Sequence, residues 1–90
     1  MTEQKNKADY LVTFHATADA MKAEKCCGNS KMQARLRPVP RELSSSCGLA
    51  LEASSVGLEK LTESLETAKI DIEALYLIAE GYQPLKINSD

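Results

Sequence analysis

One thiol stands in a setting that favours chemistry. The segment Pro38-Val39-Pro40-Arg41-Glu42-Leu43-Ser44-Ser45-Ser46-Cys47-Gly48 sets Cys47 behind an arginine and three hydroxyls and in front of a glycine. A thiol is nucleophilic as its thiolate, and nearby cations or converging N–H groups lower its pKa from the free value of about 8.5. Arg41, with Arg37 as a second candidate, is the cation for that role, and Ser46 contributes a hydroxyl and an amide beside the sulfur. Gly48 lets a ligand or partner approach and can turn backbone amides toward a negative charge. Pro38 and Pro40 fix two φ angles and extend the residues before them, so the loop starts stiff. Nine residues from Val39 to Cys47 exceed the roughly two to five that usually join antiparallel neighbours, and longer excursions are more often functional. The same Ser-Ser-Ser-Cys-Gly string also suits an ordinary turn before a strand.

The remaining reactive side chains are less promising. Cys27 falls on an apolar helical face, and a helix C-terminus, being the negative end, disfavours a thiolate, so Cys26 and Cys27 read as packing residues. Their adjacency and the odd total of three cysteines argue against a disulfide framework. His15, the single histidine, stands between a strand and a helix, where it could hydrogen-bond an anion at the helix N-terminus. His15 with Cys47 does not match zinc-site spacing, so no metal and no cofactor is expected. Neither a nucleophile-histidine-carboxylate order nor a glycine-rich phosphate loop is present.

Ninety residues make one domain with a modest core. Apolar residues at 43% and charged residues at 27% exclude the compositional signature of disorder. With a net charge of −2 the chain has no general attraction to polyanions, and only Arg35, Arg37 and Arg41 could form a local basic patch. The polar N-terminus has no apolar core like that of a signal peptide, and no run approaches the roughly 20 apolar residues of a membrane span. A cytoplasmic protein is expected, with residues 1–8 flexible, one domain over 9–79, and a tail over 80–90 that is poorly ordered unless it docks on the sheet.

Tyr10, Val12 and Phe14 alternate with Leu11, Thr13 and His15, predicting a first strand. Thr17 is placed to cap a helix with Ala20, Ala23 and Cys27 on its inner face, and Gly28 or Asn29 to stop it. Met32 to Pro38 reads as a second strand, its terminal proline marking an edge. Leu49, Leu51 and Ala53 define a third strand. Ser54 or Ser55 would then cap a helix with Leu58, Leu61, Leu65 and Ala68 inward. A last strand from Ile70 to Ile78 has Ile70, Ile72, Ala74, Tyr76 and Ile78 on one face and turns apolar on both. The resulting β-α-β-β-α-β order predicts an α+β, ferredoxin-like fold: a four-stranded antiparallel sheet, two helices on one face, and strands one and three central. The uncovered face would carry Leu11, Thr13, His15, Gln33, Arg35, Arg37, Ala50, Glu52, Leu75 and Leu77. It offers no aromatic stacking platform, which excludes an RNA-recognition role, while its aliphatic members predict a homodimer interface.

Tyr10-Leu11-Val12-Thr13-Phe14-His15, Ala20 with Ala23-Glu24-Lys25, Arg35-Leu36, Pro38, Pro40-Arg41-Glu42-Leu43 and above all Ser44-Ser45-Ser46-Cys47-Gly48-Leu49-Ala50-Leu51 resemble the small bacterial proteins of the selenium/sulfur (Se/S) carrier protein-like family. The resemblance spans about residues 9 to 78 and is most specific from Pro40-Arg41-Glu42 to Cys47-Gly48-Leu49. It implies that Cys47 carries sulfur or selenium as a persulfide or selenopersulfide, that Arg41, Ser46 and Gly48 surround it, and that donor and acceptor proteins are the partners. Cys26 and Cys27 stand where related sequences mostly carry aliphatics, which supports packing and leaves open a use as resolving thiols. A carrier is expected rather than a stand-alone enzyme. The alternative reading is a noncatalytic dimeric binding or regulatory module, with an anion-binding loop at 38–48.

Overall fold

The computed structural model describes residues 7–85. Most of the expected flexible N-terminus and the last five residues of the expected tail lie outside the described residues. The chain runs β1 (Lys7–Phe14), α1 (Thr17–Asn29), β2 (Gln33–Pro38), β3 (Leu49–Gly57), α2 (Leu58–Thr67), β4 (Ile72–Ile78) and β5 (Tyr82–Leu85). These strands form an antiparallel sheet in the order β2-β3-β1-β4-β5. The first four strands keep the expected β-α-β-β-α-β order, with β1 and β3 inside and β2 at an edge. The expected four-stranded sheet is corrected to five strands, because Tyr82–Leu85 of the tail pairs with β4. Glu80 and Gly81, at φ 55° and 109°, make the turn that sends the chain back. Pro84 is compatible with β5 because an edge strand has one unpaired side.

The core lies on one face of this sheet. Tyr10, Val12 and Phe14 of β1 pack with Leu51 and Ala53 of β3, Ala20, Ala23 and Cys27 of α1, and Leu61 and Leu65 of α2. Both helices therefore cover the same side. Each helix ends alike: Lys31 and Lys69 take positive φ, at 62° and 59°, and the next amide reaches back five residues, Met32 to the Cys27 carbonyl and Ile70 to the Leu65 carbonyl, both at 3.0 Å. Met32 and Ile70 then drop into the core, the hydrophobic contact that accompanies such a helix stop. The helix thus ends at Asn29, one of the two expected stops, with Ser30 at the C-cap and Lys31 in the left-handed position.

Three further expectations are corrected. Ala16, not Thr17, stands at the N-cap of α1 and makes no side-chain cap bond. Neither Ser54 nor Ser55 caps α2: β3 continues through both to Gly57, and Leu58 is left exposed at the helix start. On β4 the faces change places. Val12 pairs with Leu75 and Tyr10 with Leu77, so these leucines join the helix side, whereas Ala74 and Tyr76 pair with Thr13 and Leu11 on the uncovered side. A β-bulge reconciles this with the inward Ile72. Thr13 pairs with Ala74 but Phe14 with Ile72, so Glu73 is an extra residue in β4.

The uncovered face consequently lacks the Leu75 and Leu77 that were expected to feed a dimer interface. Leu11, Thr13 and Ala50 on that face are already fully buried within the monomer. Arg37 crosses to Glu52 at 2.9 Å, a partly solvent-exposed ion pair that is worth little by itself.

The core placement of α2 gives a direct check. Leu61→Ala removes a fully buried side chain and should destabilise the domain by about 2–5 kcal/mol in urea unfolding, whereas Met21→Lys, at 59% exposure, should stay within about 0.5 kcal/mol of the parent.

Candidate functional site

The loop between β2 and β3 is closed at both ends by the strands it joins. Pro38 pairs with Leu49, and the Val39 amide donates to the Gly48 carbonyl at 3.1 Å. At its start, Pro40 to Leu43 forms a turn, with the Leu43 amide on the Pro40 carbonyl at 3.0 Å. Gly48 takes φ +78°, a conformation costing an L side chain about 1–2 kcal/mol, so glycine is needed there for backbone reasons.

The three serines have separate duties. Ser45 Oγ donates to the carbonyl of Phe14 at 3.2 Å, tying the loop to the end of β1. Ser46 turns to Glu73: its amide donates to Oε1 at 3.3 Å and its hydroxyl to Oε2 at 3.2 Å. The hydroxyl expected beside the sulfur is therefore committed to a carboxylate. Ser44 is exposed.

Cys47 follows directly. Its side chain is half-buried against the helix-side core, and the Leu49 amide donates to Sγ at 3.4 Å. The thiol in turn points at the Leu49 carbonyl at 3.5 Å. Of the residues expected around it, Ser46 and Gly48 flank it in the chain, while Arg41 is exposed and makes no hydrogen bond or salt bridge among the described residues. Arg37 is paired with Glu52 on the opposite face of the sheet. Backbone N–H contact, rather than a guanidinium, is what this geometry provides at the sulfur.

Glu73 is the residue that sequence reasoning missed. The hydrogen bond from the Ser46 amide first, then the nearness of the Ser45 and Ser46 hydroxyls and of His15, holds its carboxyl below the usual 4.5 against the opposing effect of desolvation. His15 thus belongs to this end of the molecule through Glu73. Among the described residues no group of three or more His, Cys, Asp and Glu side chains is arranged to hold a metal ion.

The other cysteines lie elsewhere. Cys27 is fully buried, and burial, followed by the neighbouring Cys26, pushes its thiol from 9.0 up to about 11. Cys26 Sγ donates to the Ser64 carbonyl at 3.4 Å, fastening α1 to α2. No disulfide joins any of the three. Both helical cysteines occupy the far end of α1 from the loop. From Thr17 to Cys26 the helix rises about 14 Å, and β2, which separates the Cys27 end from the Pro38–Leu49 pair, spans about 16 Å. A disulfide needs Cα atoms within about 7 Å, so neither Cys26 nor Cys27 can resolve Cys47 within a folded chain.

The model of the family described as "Putative Se/S carrier protein-like" matches residues 9–77. The chain belongs to this family. No curated protein and no solved structure matches it. In this Se/S carrier-like domain the matched span includes all of α1, β2, β3 and α2 and ends inside β4, so it takes in the loop, Cys47 and Glu73 and leaves out β5. No helix among the described residues is long and apolar enough to cross a membrane.

Two titrations follow. Because the folded Cys27 thiol ionises later than the unfolded one, its contribution to stability is complete below pH 9.0 and is lost as pH rises toward about 11, by linkage. Urea midpoints measured across that window should fall more steeply for the parent than for Cys27→Ala, and Cys27 should resist alkylation until the chain unfolds. Glu73 has the opposite sign: its lowered value means that the Ser46 latch is complete above pH 4.5 and is lost as pH falls through that lowered value. Amide exchange at Ser46, corrected for intrinsic rate, should show protection flat above pH 4.5 and declining below it.

Proposed function

We propose that this domain is a carrier that holds sulfur or selenium on Cys47 as a persulfide or selenopersulfide and hands it to a partner protein. Membership in the Se/S carrier-like family supports the cargo class. What carries the assignment to one residue is the placement of the sulfurs: Cys27 is sealed in the core with a raised pKa, Cys26 is bonded to α2, and Cys47 alone lies on a loop, with an N–H directed at it.

The chemistry needs no oxidant. Cys47 thiolate attacks the outer sulfur of a donor persulfide, the donor S–S bond breaks, and its electron pair leaves on the donor thiolate, so that Cys47-S-SH forms as the donor is restored. Unloading repeats the step: an acceptor thiolate attacks the outer sulfur, and the pair from the broken S–S bond returns to Cys47. An N–H aimed at sulfur suits the anionic form that each half-reaction leaves behind. A resolving thiol in the same chain would instead attack the inner sulfur and expel hydrosulfide. Cys26 and Cys27 stand too far away for that, so discharge goes to an external acceptor, and the cargo stays oxidised at the sulfane level until the acceptor arrives.

Intact mass spectrometry after incubation with a cysteine desulfurase and free cysteine tests the reading. One reducible sulfur adduct is expected, mapped to Cys47 and lost in Cys47→Ser. No adduct, or one confined to Cys26 and Cys27, discards the carrier in favour of a noncatalytic binding module.

A further inference from the structure

We propose that Glu73 is the positioning residue for Cys47, acting from the bulge of β4 through Ser46. Its consequence for transfer rests on the carrier reading of Cys47, whereas the positioning itself rests on geometry alone. The bulge is the first observation. Ala74 lies on the uncovered face opposite Thr13, and strict alternation would point Glu73 toward the helices, into the row occupied by Leu75 and Leu77. A carboxylate buried there without partners would be costly. The extra residue lets Ile72 take the inward place beside Phe14 and sends the Glu73 carboxylate across to the neighbouring loop.

The second observation is where the carboxylate arrives. Both of its oxygens are taken by one residue, Ser46, through amide and hydroxyl, and Ser46 immediately precedes the cysteine. On the other side of Cys47 the Gly48 carbonyl is held by Val39. The cysteine is thus fixed from before and after by bonds to two different parts of the fold, and with those held the Leu49 N–H lines up on Sγ. Glu73 touches neither sulfur nor cargo; it sets the backbone from which the sulfur projects. Its reduced proton affinity keeps this acceptor charged at neutral pH.

The test uses the full chain with Glu73→Ala, Glu73→Gln, Ser46→Ala and the Glu73→Ala/Ser46→Ala double variant, read by amide exchange and by the rate at which Cys47 takes sulfur from glutathione persulfide. In Glu73→Ala the Ser46 and Leu49 amides should exchange at least about fivefold faster, the equivalent of one ordinary hydrogen bond, with Cys27 still shielded from alkylation as proof of folding. Sulfur uptake should slow severalfold. Glutamine, which keeps the length and one carbonyl acceptor, should restore part of both. Ser46→Ala added to Glu73→Ala should change little more, since the two act as one unit. A folded Glu73→Ala with parental exchange at Ser46 and Leu49, or effects of the two substitutions that simply add, would overturn the proposal. Should Glu73→Ala not fold, Ser46→Ala decides: parental exchange at Leu49 overturns the proposal and faster exchange supports it. If the exchange changes appear while the parent takes up no sulfur, the carrier reading falls and the positioning stands.

Discussion

The two-residue period of β1 is the constraint on which the rest is built. Flanked by β3 and β4, this strand commits Tyr10, Val12 and Phe14 to the helices and Leu11 and Thr13 to the other face, and a central strand has no freedom to slip without inverting every side chain. Its neighbours absorb the mismatch. In β3 the pairing passes from Ala53 opposite Tyr10 to Val56 opposite Ala8, an added residue where Ser55 takes φ 53° and its amide bonds to Asp9 at 2.8 Å. In β4 the added residue is Glu73. Each bulge frees a polar group from the pleat and gives it a long-range partner, and the one in β4 lies at the end of the sheet where the cysteine loop closes.

That arrangement separates the roles of three chemically identical side chains. The same thiol becomes a filler of the core at position 27, a link between helices at 26, and a half-buried loop group at 47, because desolvation, a carbonyl acceptor and a backbone N–H respectively surround it. Distance completes the separation. With the helical pair at one end of α1 and the loop at the other, redox exchange between them would require the helix to come apart.

Much of this was legible in the residues. The inner faces of β1 and of α1, the edge position of β2 and the loop around Cys47 followed from periodicity and proline placement. What escaped detection shares a cause: the features depend on partners remote in sequence. Ala74 and Leu75 break the alternation of the last strand, and that phase change is the mark of a bulge, yet only the register against Thr13 and Phe14 shows which residue is extra. Glu73 therefore carried no signal of its own in the sequence. Pro84 drew attention away from β5, although Gly81 beforehand and Tyr82 with Leu85 after it are a hairpin signal. The left-handed positions after the helices escaped notice because lysines, not glycine or asparagine, take them, stabilised by the apolar contact of the residue that follows.

Both edges of the sheet carry a proline: Pro38 closes β2 and Pro84 sits within β5. Neither residue can donate to an incoming strand, so each outer ladder is interrupted before another molecule arrives. Copies crowded together would meet broken hydrogen-bonding rows at either margin, a built-in resistance to fibrillar stacking for a domain whose interior strands are rich in β-forming residues.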